Sequence, residues 1–536
     1  MMKTWLSRNR ITVLILIIAA AGFIRSYNIN GPLFEMNPLR QAVNAAISRN
    51  YAQSPQSQFL LPQMDNMGPS PGYFMFELPL LQYIGSLMIK VFGVHNWVFR
   101  IISIVLSMFS AVFFYKLCTR FLDLKTSIIA LIFYCFAPMS IIMGRSFQTE
   151  SFMLLALFLS LYYFIRWLEE ERAAFLWACT AGFTVLVLLK ITNLYISVLV
   201  AALFVIYKKA RLIPKFLIPC FLILAINFFW WVLYSSGVRE LFPNEYTVSD
   251  KNVQVFTIPH ILNVIRELTL SSGYWLTTLK HCAWIVLSPI LLIFLFLGIF
   301  VRKEKKVSAI LLTWLLSVML FISIVPSAAL QEYYKIHLIP VAAIFSAFSY
   351  LWIVGKIKNA RIKATATVSF WAVFMVSIFL VVYPVIRHKP IFAGNERLGE
   401  KVNSVSKKGD LVVASFGPDA MLLFYCDRKG WSLYLDDPAI DAVNVLEDRR
   451  REGAKYFVCG NLDELDRNRR FKEYMFKHYK VVDEQERQYA QPVSPSLDRF
   501  IWTLLGRSNL PALRSFKNKM ECRSLGYVVF DLSYKT

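Results

Sequence analysis

Long apolar runs are the feature that most constrains the fold of this chain. A helix needs about 20 mostly apolar residues to cross a bilayer, and the first 386 residues contain about eleven runs of this kind. They lie near 11–27, 97–118, 126–143, 149–168, 173–189, 192–207, 213–236, 284–301, 308–325, 335–354 and 364–385. Charged residues make up only 17% of the chain, too few to cover the surface of a soluble protein of this size. The sequence therefore predicts a polytopic α-helical membrane protein.

Basic residues in the short loops predict the orientation of the spans. Alternate loops carry about twenty Lys and Arg, against about eleven in the longer loops opposite, and the basic side of a membrane protein is normally cytoplasmic. With the N-terminus inside, an odd number of crossings puts the C-terminal part outside. The net charge of +23 belongs mainly to these loops. It favours contact with anionic membrane lipids over a nucleic-acid partner.

The segment 73–92 is apolar enough to resemble a further span. Counting it as a span would place every later basic loop outside. We therefore expect it to form an interfacial or re-entrant helix in the first external loop.

The apolar pattern stops after residue 386. Residues 387–536 are mixed and charged, with strand-like segments at 410–415, 431–435, 454–460 and 527–532 and helical patterns at 395–408, 437–452 and 463–478. The sequence thus predicts two domains: 1–386 in the membrane and 387–536 as a soluble extracytoplasmic α/β domain.

The predicted external loops contain both carboxylates and cations. The acidic residues include Glu35, Glu77 and Glu150, and the basic ones include Arg40, Arg145 and Lys190. A carboxylate can deprotonate an acceptor hydroxyl, and cations or a metal can stabilise a phosphate leaving group. These residue types at a bilayer surface are what transfer from a lipid phosphate requires, although solvated loops also carry such charges.

Five segments in order resemble a known family. They are FEMNPLRQAVNAAISRNY (34–51), FELPLLQYIGSLMIKVFG (76–93), GRSFQTESFMLL (144–155), LLKITN (188–193) and QEYYKIHLIP (331–340). The chain resembles bacterial GT-C-fold glycosyltransferases, the superfamily of the protein mannosyltransferases and the lipid A aminoarabinose transferase. The resemblance implies a GT-C-like membrane domain. It also implies inverting transfer of a single sugar from a polyprenyl-phosphate-sugar donor to an extracytoplasmic acceptor such as lipid A, a protein or a cell-envelope glycan.

The same resemblance assigns roles to residues. Glu35 is the carboxylate nearest to the family's catalytic base, with Glu150 as a second active-site carboxylate. Residues for binding the donor and its phosphate are Arg40, Lys190, Arg145, Tyr333 and Tyr334. Glu77 is a candidate ligand of a divalent metal ion, which is the one cofactor left open. The expected location is a bacterial inner membrane.

Alternatives stay open at this point. Relatives often carry His near Asn37 and Asp at Val43, and their absence would suit a non-catalytic scaffold of envelope glycan assembly. A polysaccharide polymerase or ligase would also use polyprenyl-linked glycans. A transporter is less favoured because the charges lie in loops rather than inside the spans.

Overall fold

A computed structural model describes residues 9–54, 58–242, 246–247, 262–263, 265–325, 331–387, 390–417, 420–486 and 526–533. Lys3 and Arg8, two of the basic residues counted for the predicted orientation, fall outside these residues. Helices α1 to α16 form the membrane part and span Arg10–Ser26, Pro38–Gln53, Leu80–Phe92, Asn96–Cys118, Leu124–Phe136, Pro138–Met143, Glu150–Glu170, Ala173–Leu189, Ser197–Ile206, Ile213–Phe228, Ser235–Leu241, Ser272–His281, Pro289–Phe300, Lys305–Ile324, Leu338–Lys356 and Ala360–Ile386. Short 3-10 helices at Ile191–Ile196, Ala210–Leu212 and Glu332–His337 and π-helices at Phe229–Tyr234, Ile265–Thr269 and Cys282–Val286 join or extend them.

The predicted spans coincide with helices, and the membrane fold class is confirmed. Among the described residues, six helices or continuous helical stretches are long and apolar enough to cross a bilayer. Two spans predicted as single helices are interrupted. The run 126–143 divides at Pro138, and the run 284–301 bends by 113° between Val286 and Pro289. Both breaks occur where Pro occupies the first position of the following helix, since Pro lacks the N–H that would continue the preceding helix.

The segment 73–92 does not form one continuous helix. Strand β1 (Phe74–Met75) pairs in parallel with β2 (Tyr246–Thr247), and α3 begins only at Leu80. With 13 residues, α3 is about 20 Å long, which is shorter than the hydrocarbon core of a bilayer. Its length therefore suits the interfacial helix expected from the sequence.

The C-terminal part forms a five-stranded sheet with helices. Strands β3 to β7 span Leu411–Ser415, Gly430–Ser432, Ala454–Cys459, Lys480–Gln485 and Tyr527–Asp531, and helices α17 to α21 span Pro390–Val405, Met421–Cys426, Ala442–Arg451, Leu462–Arg467 and Arg469–His478. The strand order is β4-β3-β5-β7-β6, with the first three strands parallel and the last two pairings antiparallel. The α/β class is confirmed. Strand β6 and helix α18 were not predicted.

The loop between α2 and α3 docks on the edge strand β4 of this sheet. Gly430 N donates to Asp65 O at 3.0 Å, and Gly68 N donates to Gly430 O at 2.8 Å. Gly68 has φ +60°, and a Cβ there would lie 2.2 Å from the Trp431 ring, so this close approach requires glycine. These hydrogen bonds tie the membrane part to the C-terminal sheet.

Candidate active site

The first part of the candidate site is an ion pair between Arg40 and Glu77. Arg40 lies in the first turn of α2, which has Pro38 at its first position and Asn37 as its N-cap. The Asn37 side chain accepts a hydrogen bond from the Arg40 backbone N–H at 3.4 Å. The Arg40 guanidinium donates to Glu77 Oε2 and lies 5.0 Å from the centre of the Phe76 ring. The helix cap therefore directs a cation onto a buried carboxylate.

Glu77 is fixed by the loop around it. The next residue, Leu78, donates its backbone N–H to Leu188 O at 3.1 Å, which pins the loop to the end of α8. Thr149 Oγ1 donates to Glu77 Oε2 at 3.4 Å. Burial raises the pKa of Glu77 above its usual value, and the nearby Arg40 charge only partly offsets this effect. Glu77 therefore holds a proton more readily than an exposed glutamate does.

The second part is an ion pair between Lys190 and Glu150. Glu150 is the first residue of α7, and Lys190 directly follows α8, with extended backbone at φ −165°. Lys190 Nζ lies 3.0 Å from Glu150 Oε1, and the two side chains are 7% and 1% exposed. The other carboxylate oxygen, Glu150 Oε2, is buried without a hydrogen-bond partner. This oxygen can therefore accept a hydrogen bond or a proton from a group that enters the site.

Two tyrosines cover the Lys190 ammonium group. Tyr333 and Tyr334 lie in the 3-10 helix that precedes α15, with ring centres 4.8 Å apart. Lys190 Nζ lies 4.0 Å from the centre of the Tyr334 ring and 5.1 Å from that of Tyr333. Such cation–π contacts stabilise a charge that burial has removed from water.

These two ion pairs form one electrostatic unit. The Arg40 charge interacts with Glu77, Glu150 and both tyrosines, and the Lys190 charge interacts with Glu150, Arg40 and both tyrosines. We call this set the ion-pair cluster; its members are Arg40, Glu77, Glu150, Lys190, Tyr333 and Tyr334. Two cations balance two carboxylates in a buried space. An arriving phosphate would compete with the carboxylates for the cations and so release the carboxylates to act as bases.

Glu35 lies in a different ion-pair arrangement. Glu35 Oε1 is 2.6 Å from Arg100 Nη2 and 3.3 Å from Arg145 Nε, and all three side chains are almost completely buried. Burial would raise the pKa of Glu35, but the two guanidinium groups outweigh burial and hold it below its usual value. Burial lowers the pKa of Arg145 to about 10 despite the attraction of Glu35. A carboxylate held in this way is a weak base.

The chain is similar to known proteins in both sequence and structure. The sequence profile of the dolichyl-phosphate-mannose-protein mannosyltransferase family matches residues 76–234. The structure is similar to that of ArnT from Cupriavidus metallidurans bound to undecaprenyl phosphate, with TM-score 0.61, 12% identity and coverage of 88% of this chain and 96% of that one. The chain has a GT-C glycosyltransferase fold.

Two other similar structures support the GT-C fold. The apo oligosaccharyltransferase of Archaeoglobus fulgidus has a TM-score of 0.56 at 11% identity, covering 97% of this chain and 88% of that one. The arabinofuranosyltransferase AftD from Mycobacteria has a TM-score of 0.52 at 12% identity, covering 97% of this chain and 40% of that one. No curated protein matches the chain by sequence. The resemblance inferred from the five segments is confirmed.

Within this GT-C fold, the residues predicted from the sequence divide into two groups. Six of them meet in the ion-pair cluster, whereas Glu35 and Arg145 pair with each other and Glu35 also pairs with Arg100. Arg145 contacts Glu35 and lies outside the ion-pair cluster, and the ion-pair partner of Glu150 is Lys190. The catalytic and binding roles themselves stay predictions.

Two residues near the site, Arg100 and His337, were not predicted from the sequence. Arg100 lies inside an apolar run that was read as free of charge, and a cation in such a run is itself a signal of a buried ion pair. His337 is buried at the start of α15, where its Nδ1 lies 3.0 Å from the Tyr195 hydroxyl. A histidine at the start of an apolar helix was the available signal for this residue.

The Glu77 surroundings do not provide a metal site by themselves. Across the part of the chain that the structure describes, no three His, Cys, Asp or Glu side chains come together as metal ligands. The ion-pair partner of Glu77 is Arg40, whose guanidinium already contacts the carboxylate oxygen Oε2.

Proposed function

We propose that this protein is a membrane glycosyltransferase that moves a single sugar from a polyprenyl-phosphate-sugar donor to an extracytoplasmic acceptor. The observation that carries the proposal is the ion-pair cluster, in which two cations and two carboxylates are buried side by side within a GT-C fold. The proposed location is a bacterial inner membrane, with the N-terminus cytoplasmic and residues 387–536 outside.

In the proposed reaction, the donor phosphate binds to Arg40 and Lys190. These cations offset the charge that develops on the phosphate oxygen as its bond to the sugar C1 breaks. The electron pair of that bond leaves with polyprenyl phosphate. A flexible lysine acts as a point charge and an arginine offers a planar fork, so the pair can follow the phosphate as it departs.

The acceptor hydroxyl or amine attacks C1 from the opposite face, which inverts the configuration. Glu150 is our candidate for the base, because its Oε2 is unpartnered and its Oε1 loses Lys190 to the incoming phosphate. Glu77 is the second candidate, since burial raises its pKa and so makes its carboxylate a stronger base than that of an exposed glutamate. Glu35 is better suited to holding the first external loop onto α4 through Arg100. A divalent ion stays an untested prediction, to be checked by assay with a chelator.

The test is release of free polyprenyl phosphate from purified protein in nanodiscs, measured by mass spectrometry with a panel of polyprenyl-phosphate monosaccharides and membrane extract as acceptor. Wild type should release lipid phosphate from one donor, and Glu150→Gln and Lys190→Ala should not. The matched control is Glu169→Gln, which changes a carboxylate at the other end of α7 that pairs with Arg120. Release by Glu150→Gln at the wild-type rate would remove Glu150 as the base. No release from any donor would favour the scaffold alternative, and release only from long pyrophosphate-linked glycans would favour a polymerase or ligase.

A further inference from the structure

A second polar cavity lies between the membrane part and the C-terminal sheet domain. Its volume is about 590 Å³, within the range of small-molecule pockets. The walls come from the end of α2, the start of α4 and the turn before it, helix α17, and α18 with the residue after it. None of the ion-pair cluster lines it. We call it the interdomain cavity.

The walls of the interdomain cavity combine an aromatic surface with hydrogen-bonding groups. Trp97 is half-buried in the wall and lies against Phe92, with ring centres 5.3 Å apart. Beside it, the Asn96 side chain donates to Glu396 and, at 3.4 Å, to Asn30 O. A flat indole suits the C–H face of a sugar ring, while amides and carboxylates suit its hydroxyl groups. This pairing of surfaces is what recognition of a carbohydrate requires.

The charge of the cavity excludes an anionic ligand. Three carboxylates line it, from Glu396, Glu400 and Asp427. The one lining arginine, Arg49, is already paired with Asp65 at 2.5 Å and with Asp427 at 3.0 Å. Arg49 also donates to Phe424 O at 2.9 Å, so its charge is committed to holding the two parts together. A phosphate or an acidic sugar would be repelled by the carboxylates of Glu396 and Glu400 here.

Two of these carboxylates are kept close together at some cost. Glu396 and Glu400 lie one turn apart on α17, an i,i+4 spacing at which like charges destabilise a helix. Burial raises the pKa of Glu396, although its hydrogen bond from Asn96 works against this shift. A ligand that donates hydrogen bonds, or that carries an amine, would relieve this repulsion.

We infer that the interdomain cavity is a subsite for a sugar unit of a neutral or amine-bearing glycan, on the acceptor side of the proposed transfer. Helix α2 links the two places, because Arg40 stands near its start and Arg49 near its end. Nine residues of helix correspond to about 14 Å, a distance that an oligosaccharide can bridge. The assignment of this sugar to the acceptor rests on the proposed function. The prediction that the cavity binds a sugar does not depend on the proposed function.

The test is direct sugar binding by the full-length protein in nanodiscs. Saturation-transfer NMR and calorimetry measure the binding. The probes are three trisaccharides: one of N-acetylglucosamine, one of glucosamine and one of galacturonic acid. We expect the first two to bind and the third not to bind. Trp97→Ala and Glu400→Gln should each weaken binding at least tenfold, whereas Trp97→Phe should keep most of it. The matched control Glu452→Gln, on the sheet domain outside this cavity, should bind like wild type.

Failure of the inference can be told apart from failure of the proposed function. Lys190→Ala removes a proposed donor cation and should still bind the sugars in the cavity. The inference is overturned when no neutral or amine-bearing sugar binds to wild type, when galacturonate binds as well as they do, or when both cavity variants bind like wild type. Glu400 is exposed, so Glu400→Gln keeps the test valid should Trp97→Ala fail to fold.

Discussion

Lys190 Nζ lies 3.0 Å from Glu150 Oε1, and this contact joins the end of one membrane helix to the start of another. Both groups are buried, so each compensates the desolvation cost of the other. The pair therefore has a structural role in the unliganded protein and a chemical role in the proposed transfer. Substitutions at this pair need to be designed so that the two roles separate.

The first prediction concerns this pair. Lys190→Met should lower the free energy of unfolding by about 3–5 kcal/mol, because it leaves the Glu150 carboxylate buried without a partner. The double variant Lys190→Met/Glu150→Gln should recover most of that stability and still release no polyprenyl phosphate. Thermal melts followed by tryptophan fluorescence, with the release assay, measure both effects. Recovery of release in the double variant would contradict the proposed roles.

The second prediction concerns Glu35. Glu35→Gln leaves Arg100 and Arg145 buried beside a neutral group, which should destabilise the protein by about 3–5 kcal/mol. At temperatures where the variant is folded, it should release polyprenyl phosphate within a few-fold of wild type. A variant that melts like wild type but is inactive would restore Glu35 as the catalytic base.

The third prediction is the pH dependence of the same ion pair. The pKa of Glu35 is lower in the folded protein than its usual value of 4.5, so its ionisation favours folding. The stability difference between wild type and Glu35→Gln should be fully present above pH 4.5 and should shrink as the pH falls through the lowered pKa. Melting temperatures of both proteins along an acid titration test this. A difference that grows on acidification would contradict the assigned ion pair.

The fourth prediction concerns Arg49, which joins α2 to Asp65 and to Asp427 of the sheet domain. Arg49→Lys keeps the charge but cannot make both contacts in the planar arrangement, and it should cost about 1–3 kcal/mol. We expect limited proteolysis to cleave Arg49→Lys between the membrane part and the sheet domain faster than it cleaves wild type. Arg451→Lys, at a well-exposed ion pair on α19, is the control and should change nothing. Equal cleavage rates for both variants would show that Arg49 does not hold the interface.

The structure also gives local reasons for Asn37 and Val43, the two residues at which the resemblance implies a departure from the family pattern. Asn37 adopts φ 56° and caps α2, a left-handed conformation that asparagine tolerates well. Val43 is half-buried and packs against the apolar group of Ile47, Tyr51 and Met64, an apolar contact that an aspartate would not make. Local structure therefore accounts for the presence of Asn37 and Val43 at these positions. Neither residue by itself indicates loss of catalysis.

The helices and several strands could be predicted because their causes are local. Apolar runs of bilayer length form helices wherever they occur, and alternating strand patterns end at nearby turns. The two interrupted spans were predicted less well, since one proline within a long apolar run changes its direction without changing its average hydropathy. Strand β6 was missed because its sequence KVVDEQ is half charged and its pairing with β7 depends on residues far along the chain.

The sequence by itself determined that this chain is a membrane protein with a GT-C fold and that acidic and basic residues gather in the loops between its apolar runs. Only the tertiary structure decided which charges pair. Glu35 finds Arg100 across 65 positions, Arg40 finds Glu77 across 37 and Lys190 finds Glu150 across 40. The physical reason is that helix formation depends on neighbouring residues, whereas a buried charge must take the opposite charge that packing brings nearest.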